Sequence, residues 1–126
     1  MHALSSFDYG VLRIVPRVER GEFVNAGVIL FCPELRFLAA RTHLNRERLR
    51  ALWPDVDADM VAAHLAAFMR VALGEADAGP IARLSQRERF HWLVSPRSTV
   101  IQVSPVHSGL CDDPQAMLER LFERLA

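Results

Sequence analysis

Apolar residues recur with strand-like spacing along the first third of the chain. "FDYGVLRIVP" (Phe7–Pro16), "FVNAGVILFC" (Phe23–Cys32) and "LRFLAART" (Leu35–Thr42) are rich in β-branched and aromatic residues, and short links separate them. Such runs are typical of strands, and the short links predict a three-stranded antiparallel meander. The second run is apolar almost throughout, which indicates a central strand covered on both faces.

The spacing then changes to a helical period. Residues that commonly cap helices precede four stretches of this kind: Asn45, Asp55 or Asp57, Ser85 and Asp113. Their side-chain oxygens can satisfy the first free N–H groups of a helix. We therefore predict a short helix "RERLRALW", a longer one from Ala58 to Leu73, a short one around "FHWL", and a last one with Pro114 in its first turn.

A late strand completes the predicted fold. "STVIQVS" (Ser98–Ser104) lies between Pro96 and Pro105, and prolines mark strand ends because they cannot donate to a ladder. The sequence thus predicts an α+β fold: an antiparallel sheet of about four strands, the N-terminal meander plus the late strand, packed against three or four helices. With 126 residues, 51% of them hydrophobic, we expect one domain over residues 1–126.

Composition narrows the classes of function. The 15 basic residues are all arginine, so a Schiff-base lysine and a phosphate-loop lysine are excluded. They balance 15 acidic residues, and this neutrality argues against a nucleic-acid binder without excluding a local basic patch. The sequence shows neither a signal peptide nor an apolar run long enough to span a membrane. We therefore expect a cytoplasmic protein with Cys32 and Cys111 reduced.

Three polar residues interrupt strand faces that are otherwise apolar: Arg13, Asn25 and Arg41. Because side chains alternate along a strand, we expect Asn25 to share a face with Gly27 and Ile29. A buried amide without a partner costs about 2–7 kcal/mol, so each polar residue should have one, and Glu22 is a nearby candidate.

Asn25 and Gly27 each allow two interpretations. Asn25 either satisfies the backbone of a neighbouring segment or faces a ligand or partner. Gly27 either relieves a bulge or sharp twist, or leaves room for a molecule to approach the backbone. From the sequence alone both alternatives remain open for each residue.

A second group of polar residues flanks the late strand: Arg97, Ser98 and Thr99 before it, and Ser104, His107 and Ser108 after it. A guanidinium with hydroxyls could hold a phosphate or carboxylate, although serines beside prolines are also ordinary turn chemistry. We expect a flexible loop from His107 to Gly109. A seven-residue strand separates the two ends by about 23 Å, which favours an extended binding surface over a compact catalytic centre.

Standard cofactor and metal motifs are missing from the sequence. It contains neither a phosphate loop nor a dinucleotide fingerprint, and its five histidines lack ligand spacing. We therefore expect neither a cofactor nor a metal. Cys111 stands next to Asp112 and Asp113, whose carboxylates oppose thiolate formation, and we interpret it as a loop cysteine.

Three long motifs resemble one family over nearly the whole chain, from about Phe7 to Leu125. "YGVLRIVPRVERGEFVNAGVILF", "RERFHWLVSPRSTVIQVSPVHSGL" and "DDPQAMLERLFERL" are similar to the bacterial domain-of-unknown-function family 3037. The resemblance places the family motifs on Glu22, Asn25, Gly27, Arg97, Ser98, Thr99, Ser104, Pro105, His107 and Gly109, and assigns none of them a role. It also implies a protein partner, a HipA-like kinase, because many members are encoded beside such kinases.

Our leading hypothesis is a non-enzymatic interaction or regulatory module whose partner is a HipA-like kinase. The alternative is a phosphate-handling or nucleic-acid-processing enzyme that uses the loops with Arg97, Ser98, Thr99 and His107, with Glu22 as acid or base. Convergence of Glu22, Arg13 and His107 in one concave pocket would favour this alternative, and a flat or convex arrangement would weaken it. Nucleic-acid binding by an arginine-lined sheet and homo-oligomerisation through an exposed edge strand also remain open.

Overall fold

Five strands and four α-helices are found within residues 3–97 and 99–126, which the computed structural model describes. The strands are β1 (Ser5–Ile14), β2 (Val24–Cys32), β3 (Phe37–Thr42), β4 (Ile101–Val103) and β5 (His107–Cys111). The helices are α1 (Arg46–Leu52), α2 (Ala58–Ala72), α3 (Gln86–Val94) and α4 (Pro114–Leu125). The predicted α+β class, with its meander and late strand, is confirmed.

Each helix begins at a capping side chain that the sequence identified. An oxygen of each capping side chain accepts a hydrogen bond, 3.1–3.2 Å long, from the backbone N–H three residues later; the caps are Asn45, Asp57, Ser85 and Asp113. These bonds satisfy donors that a helix leaves unpaired at its start. They confirm the predicted starts and select Asp57 over Asp55 for α2.

The sheet has the order β3-β2-β1-β4, and β5 also pairs with β1; all pairs are antiparallel. The prediction of a flexible loop from His107 to Gly109 is wrong, because these residues belong to β5. β1 is 10 residues long, so its edge extends beyond β4 and the chain pairs with it again after Pro105. The predicted late strand was too long, since β4 covers only Ile101–Val103.

Helices cover both faces of the sheet, as the apolar β2 predicted. On the first face, Leu12, Ile14, Ile29 and Phe31 pack against residues of α1, α2 and α3 such as Leu49, Leu65 and Phe90. On the second face, Phe7, Val28, Leu30 and Cys32 pack against Leu118 and Leu121 of α4. The core therefore has two layers, one on each side of the sheet.

β2 contains one extra residue relative to β1. Leu12 pairs with Gly27, but the next pair along the ladder is Arg13 with Asn25, so Ala26 has no partner in β1. This is a β-bulge, which bends the strand and increases its twist. Because one extra residue reverses the alternation of side chains, residues before the bulge face the opposite side from the one expected.

The predicted face of Asn25 is wrong for this reason. Asn25 does not share a face with Gly27 and Ile29; it faces α4, and its side-chain Nδ2 donates a hydrogen bond of 2.9 Å to the backbone oxygen of Leu125. Leu125 is the last residue of α4, where carbonyl groups lack partners inside the helix. The amide of Asn25 thus fastens the end of α4 to the sheet.

Gly27 brings the backbones of β2 and β3 unusually close together. A Cβ on Gly27 would lie 2.4 Å from the carbonyl oxygen of Arg41 and 3.1 Å from the Cα of Thr42. Both atoms belong to the backbone of β3, so a small rotation of a side chain cannot relieve the contact. The geometry supports the interpretation of Gly27 as a residue that the bulge requires.

We predict that Gly27→Ala destabilises the fold, since the added methyl group must push two paired strands apart. Overpacking of this kind typically costs about 1–3 kcal/mol. Thermal unfolding followed by circular dichroism measures the effect, and we expect a melting temperature lower by roughly 4–15 °C. Where glycine is not needed, replacing it by alanine usually stabilises a protein, so an unchanged or higher melting temperature would contradict the account.

Candidate functional site at the open sheet edge

The segment from α3 to β5 runs along one edge of the sheet and contains most of the polar residues that the sequence singled out. β4 and β5 pair with β1 one after the other, and the register shifts by one residue between Val103 and His107. The shift occurs at Pro105 and Val106, two residues that both lie opposite Gly10. The two short strands thus act as one interrupted edge strand.

Ser104 holds this interruption together. Its Oγ accepts a hydrogen bond of 2.9 Å from the N–H of Val11 and donates one of 3.0 Å to the carbonyl of Pro105. Its own N–H donates to the carbonyl of Val11 at 2.9 Å. Ser104 is buried, so its hydroxyl completes the ladder of β1 and does not face a ligand.

The outer side of β4 presents backbone groups to the surface. Val100 and Ser104 bond to β1 through their backbones, and Gln102 lies opposite Arg13 in the same register. Because bonding alternates along an antiparallel strand, the N–H and C=O groups of Ile101 and Val103 point away from β1. Thr99 Oγ1 donates to the carbonyl of Ile101 at 2.7 Å. In the described part of the chain, the sheet adds no strand beyond this edge.

Two cavities border the open edge of β4. The first, about 530 Å³, lies between α2, α3 and the start of β4, and its apolar lining includes Phe68, Val71, Trp92, Leu93, Val100 and Ile101. The second, about 450 Å³, lies between residues 94–97 and 102–106. Trp92 is 43% exposed and Val106 is 42% exposed, so large apolar side chains of this region face solvent.

Arg97 lines both cavities and is held in place. Its guanidinium stacks over the ring of Trp92, with Cζ 4.3 Å from the ring centroid. Its Nε donates to the carbonyl of Ser95, and its Nη2 donates to the carbonyl of Trp92. Arg97 and Thr99 thus lie together at this edge, as the sequence predicted, while Ser98 lies outside the described residues.

The other predicted candidates lie elsewhere. His107 is exposed on β5 with its ring centroid 5.4 Å from that of Tyr9, and Ser108 donates a 2.6 Å hydrogen bond to Oδ1 of Asp8. Neighbouring residues of a strand point to opposite faces. His107 and Ser108 therefore do not form a catalytic pair with each other.

Arg13 lies opposite Asn25 and Gln102 in the ladder, on the face that α4 covers. Its guanidinium stacks over Phe23, 4.2 Å from the ring centroid. The hydrogen-bond partner expected from the sequence is confirmed for the Nδ2 of Asn25. The same expectation is wrong for Arg13: its buried Nε has no hydrogen-bond partner among the described residues, and the guanidinium contacts the ring of Phe23 instead.

Arg41 was expected to be enclosed, and this is wrong. Its side chain is 52% exposed; it lies 3.4 Å from Glu119 and stacks on Phe122, both in α4. Arg41 is near the end of the short edge strand β3, where solvent reaches a long side chain. An exposed ion pair of this kind contributes only about 0–1 kcal/mol.

Glu22 is not the partner of the polar strand residues. Its carboxylate pairs with Arg20 and borders a small cavity of about 140 Å³ that Arg17 and Trp53 also line. Gly27 is buried in the sheet, in contact with the β3 backbone. The structure thus leaves Arg97 and Thr99 at the open edge of β4 and separates them from Glu22, Gly27 and His107.

Residues 9–126 match the family described as "Protein of unknown function (DUF3037)". The chain belongs to this family. The matched residues include all of β2, the bulge and the edge formed by β4 and β5. No curated protein and no solved structure matches the chain.

Within residues 3–97 and 99–126, no helix has both the length and the apolar character that crossing a membrane requires. The same residues contain no group of three or more His, Cys, Asp or Glu side chains arranged to hold a metal ion.

Sequence reasoning missed the apolar part of the edge site. Phe68 and Val71 have the helical spacing of core residues, and both do contact the core. The spacing does not show that α2 and α3 leave a gap in front of them. Trp92 was the available signal, because this large aromatic residue lies three positions before Ser95, in the same family motif as Arg97.

Cys111 is buried in β5, so its interpretation as a loop cysteine is wrong. The pKa of the Cys111 thiol is raised to about 11, chiefly by burial, and the neighbouring Cys32 thiol and the carboxylates of Asp112 and Asp113 contribute in the same direction. Cys111 therefore remains a neutral thiol at physiological pH. A thiol in this state is a poor nucleophile and a poor metal ligand.

We predict that Cys111 makes the protein less stable as the pH rises from 9 to 11. In this window the unfolded chain releases the thiol proton near its ordinary value of 9.0 while the folded chain keeps it up to about 11. The unfolded state therefore binds fewer protons, and the free energy of unfolding falls with pH. The sequence contains no lysine and one tyrosine, so few other side chains titrate there.

Urea denaturation at several pH values tests this, with Cys111→Ala as the comparison. We expect the wild-type free energy of unfolding to fall more steeply than that of Cys111→Ala above pH 9. Parallel curves for the two proteins would show that Cys111 is not the source of the pH dependence.

Proposed function

We propose that this DUF3037 protein is a non-enzymatic interaction module that binds a protein partner along the open edge of β4. The observation that supports the proposal is the combination of an unpaired strand edge with two cavities beside it. Unpaired edges readily pair with other chains, and proteins usually protect them. Concave, largely apolar surfaces with a few fixed polar groups are typical of binding sites.

The first candidate partner is a HipA-like kinase, which the family resemblance implies. The surface along β4 fits a protein better than a small polar metabolite, because its lining is mostly apolar and extends past both ends of the strand. In this proposal the module regulates or positions the kinase and performs no chemistry itself.

Convergence of Glu22, Arg13 and His107 in one pocket would favour the alternative enzyme hypothesis, and these three residues do not converge. His107 pairs with Tyr9, four residues before Arg13 in β1, a separation of about 13 Å along an extended strand. Glu22 lies with Arg20 at a separate cavity beside Trp53. Glu22 and Arg97 line different cavities, and this separation supports the interaction module over the enzyme.

We predict that Ala67→Phe weakens partner binding strongly. Ala67 is an exposed residue of α2 that lines the larger cavity, so a phenyl ring there fills the cavity without entering the core. Ala66→Phe is the matched control, since Ala66 is exposed on the same helix but does not line the cavity. Proteins retained from a lysate of the native host by each immobilised variant are quantified by mass spectrometry.

Wild type and Ala66→Phe should retain the same partner, and Ala67→Phe should retain at least roughly tenfold less, which corresponds to about 1.4 kcal/mol. Recovery of a HipA-like kinase would identify the partner. Failure of the wild type to retain a stable partner, or equal retention by all three proteins, would contradict the proposal.

A further inference from the structure

We infer that the partner supplies an extended acidic segment, which adds to the sheet as a strand beside β4 and places a carboxylate against Arg97. This inference rests on the proposed function, because it specifies what occupies the same edge. It follows from the backbone groups, the cavities and the charges at this surface.

The backbone of β4 offers the hydrogen bonds that an added strand needs. The N–H and C=O groups of Val103 and the N–H of Ile101 point outward, while Thr99 already occupies the carbonyl of Ile101. From Ile101 to Val106 the edge reads "IQVSPV" and carries no charged side chain. The opposite edge strand, β3, carries Arg41, and charges of this kind protect an edge against pairing.

The two cavities match the alternation of side chains in a strand. Successive side chains of an added segment point to opposite faces, so apolar residues at alternate positions can enter cavities beside the edge. The cavities of about 530 Å³ and 450 Å³ border β4, and Arg97 lies between them because it lines both. Backbone pairing thus supplies affinity, and the cavities select particular side chains.

The charge of this surface selects an acidic segment. The ionisable side chains lining the two cavities are Arg97 and His64, with no acidic residue among the described residues that line them. The chain as a whole has equal numbers of acidic and basic residues, so this local imbalance is specific to the edge. Apolar neighbours reduce the screening of the Arg97 charge by water.

The guanidinium of Arg97 is oriented for a carboxylate. Arginine carries five N–H donors, and the contacts with the carbonyls of Ser95 and Trp92 use one on Nε and one on Nη2. The stack on Trp92 fixes the plane of the group. The remaining donors can bind a carboxylate with the paired geometry that arginine favours. A nucleic acid would use the charge but not the apolar cavities, so a peptide fits better.

Selection of a displayed library of random decapeptides on the immobilised full chain tests the inference. We expect the enriched peptides to alternate apolar residues and to contain Asp or Glu. The affinity of one such peptide, measured by fluorescence polarisation, should fall at least tenfold for Arg97→Gln and stay unchanged for Arg50→Gln, an exposed arginine of α1. Ala67→Phe should also weaken binding.

Two changes in the peptide examine the same contacts without altering the protein. Replacing its Asp by Asn should cost the same factor as Arg97→Gln, which separates a lost contact from a folding defect of the variant. N-methylation of single peptide bonds should abolish binding at every second position, because only alternate N–H groups of a strand face β4.

Enrichment of peptides without acidic residues, or equal affinity of wild type and Arg97→Gln, would overturn the acidic contact. Uniform sensitivity to N-methylation would overturn strand addition. If Ala67→Phe still weakened peptide binding in either case, the proposed function would stand while this inference failed. If the library yielded no binder at all, the inference would be overturned. The proposed function would then be decided separately, by whether wild type retains a partner from the host lysate that Ala67→Phe does not retain.

Discussion

The close approach of β3 to Gly27 is the constraint on which the rest of the structure depends. The Arg41 carbonyl occupies space that any other residue at position 27 would fill with its Cβ. The extra residue Ala26 beside this contact reverses the alternation at the start of β2, so Asn25 faces α4 and binds the carbonyl of Leu125. An asparagine and a glycine in an apolar strand are therefore two parts of one bulge.

This arrangement determines which surfaces stay free. α4 lies over β2 and β3 on one face, and α1 to α3 cover the other. The long strand β1 extends past β4, and the chain fills that space with β5 after the break that Ser104 stabilises. Among the described strands, the outer side of β4 remains unpaired and bordered by cavities. Polar residues in the two parts of the sheet thus have different roles: Asn25 and Ser104 complete the fold, and Arg97 faces the candidate binding surface.

Much of the fold could be predicted because local signals determined it. Capping side chains at Asn45, Ser85 and Asp113 gave the helix starts, and β-branched runs gave the meander. A bulge was one of the two interpretations of Gly27, but its position could not be predicted, since no residue marks which one loses its partner. The extra residue proved to be Ala26, and it reversed the predicted face of Asn25. β5 was not predicted because "HSGLC" contains turn-forming residues. It is a strand because β1 is long enough to pair with it beyond the end of β4. Arg97 and Thr99 were found from their position beside the late strand, whereas the cavity in front of Trp92 depends on how far apart α2 and α3 pack.

Native-state hydrogen exchange of Asn25→Leu tests the link between the bulge and α4 most directly. Leucine branches at the same atom as asparagine, but its side chain has no N–H to donate to the Leu125 carbonyl, and it adds no charge beside Arg13, which lies opposite in the ladder. The lost bond and the unpaired buried group cost about 1–3 kcal/mol. The account predicts that amides of α4 exchange roughly 5–150 times faster in the variant, while those of α3, on the other face, change much less. Unchanged exchange in α4, or equal acceleration in both helices, would contradict the role of Asn25 as the residue that fastens α4 to the sheet.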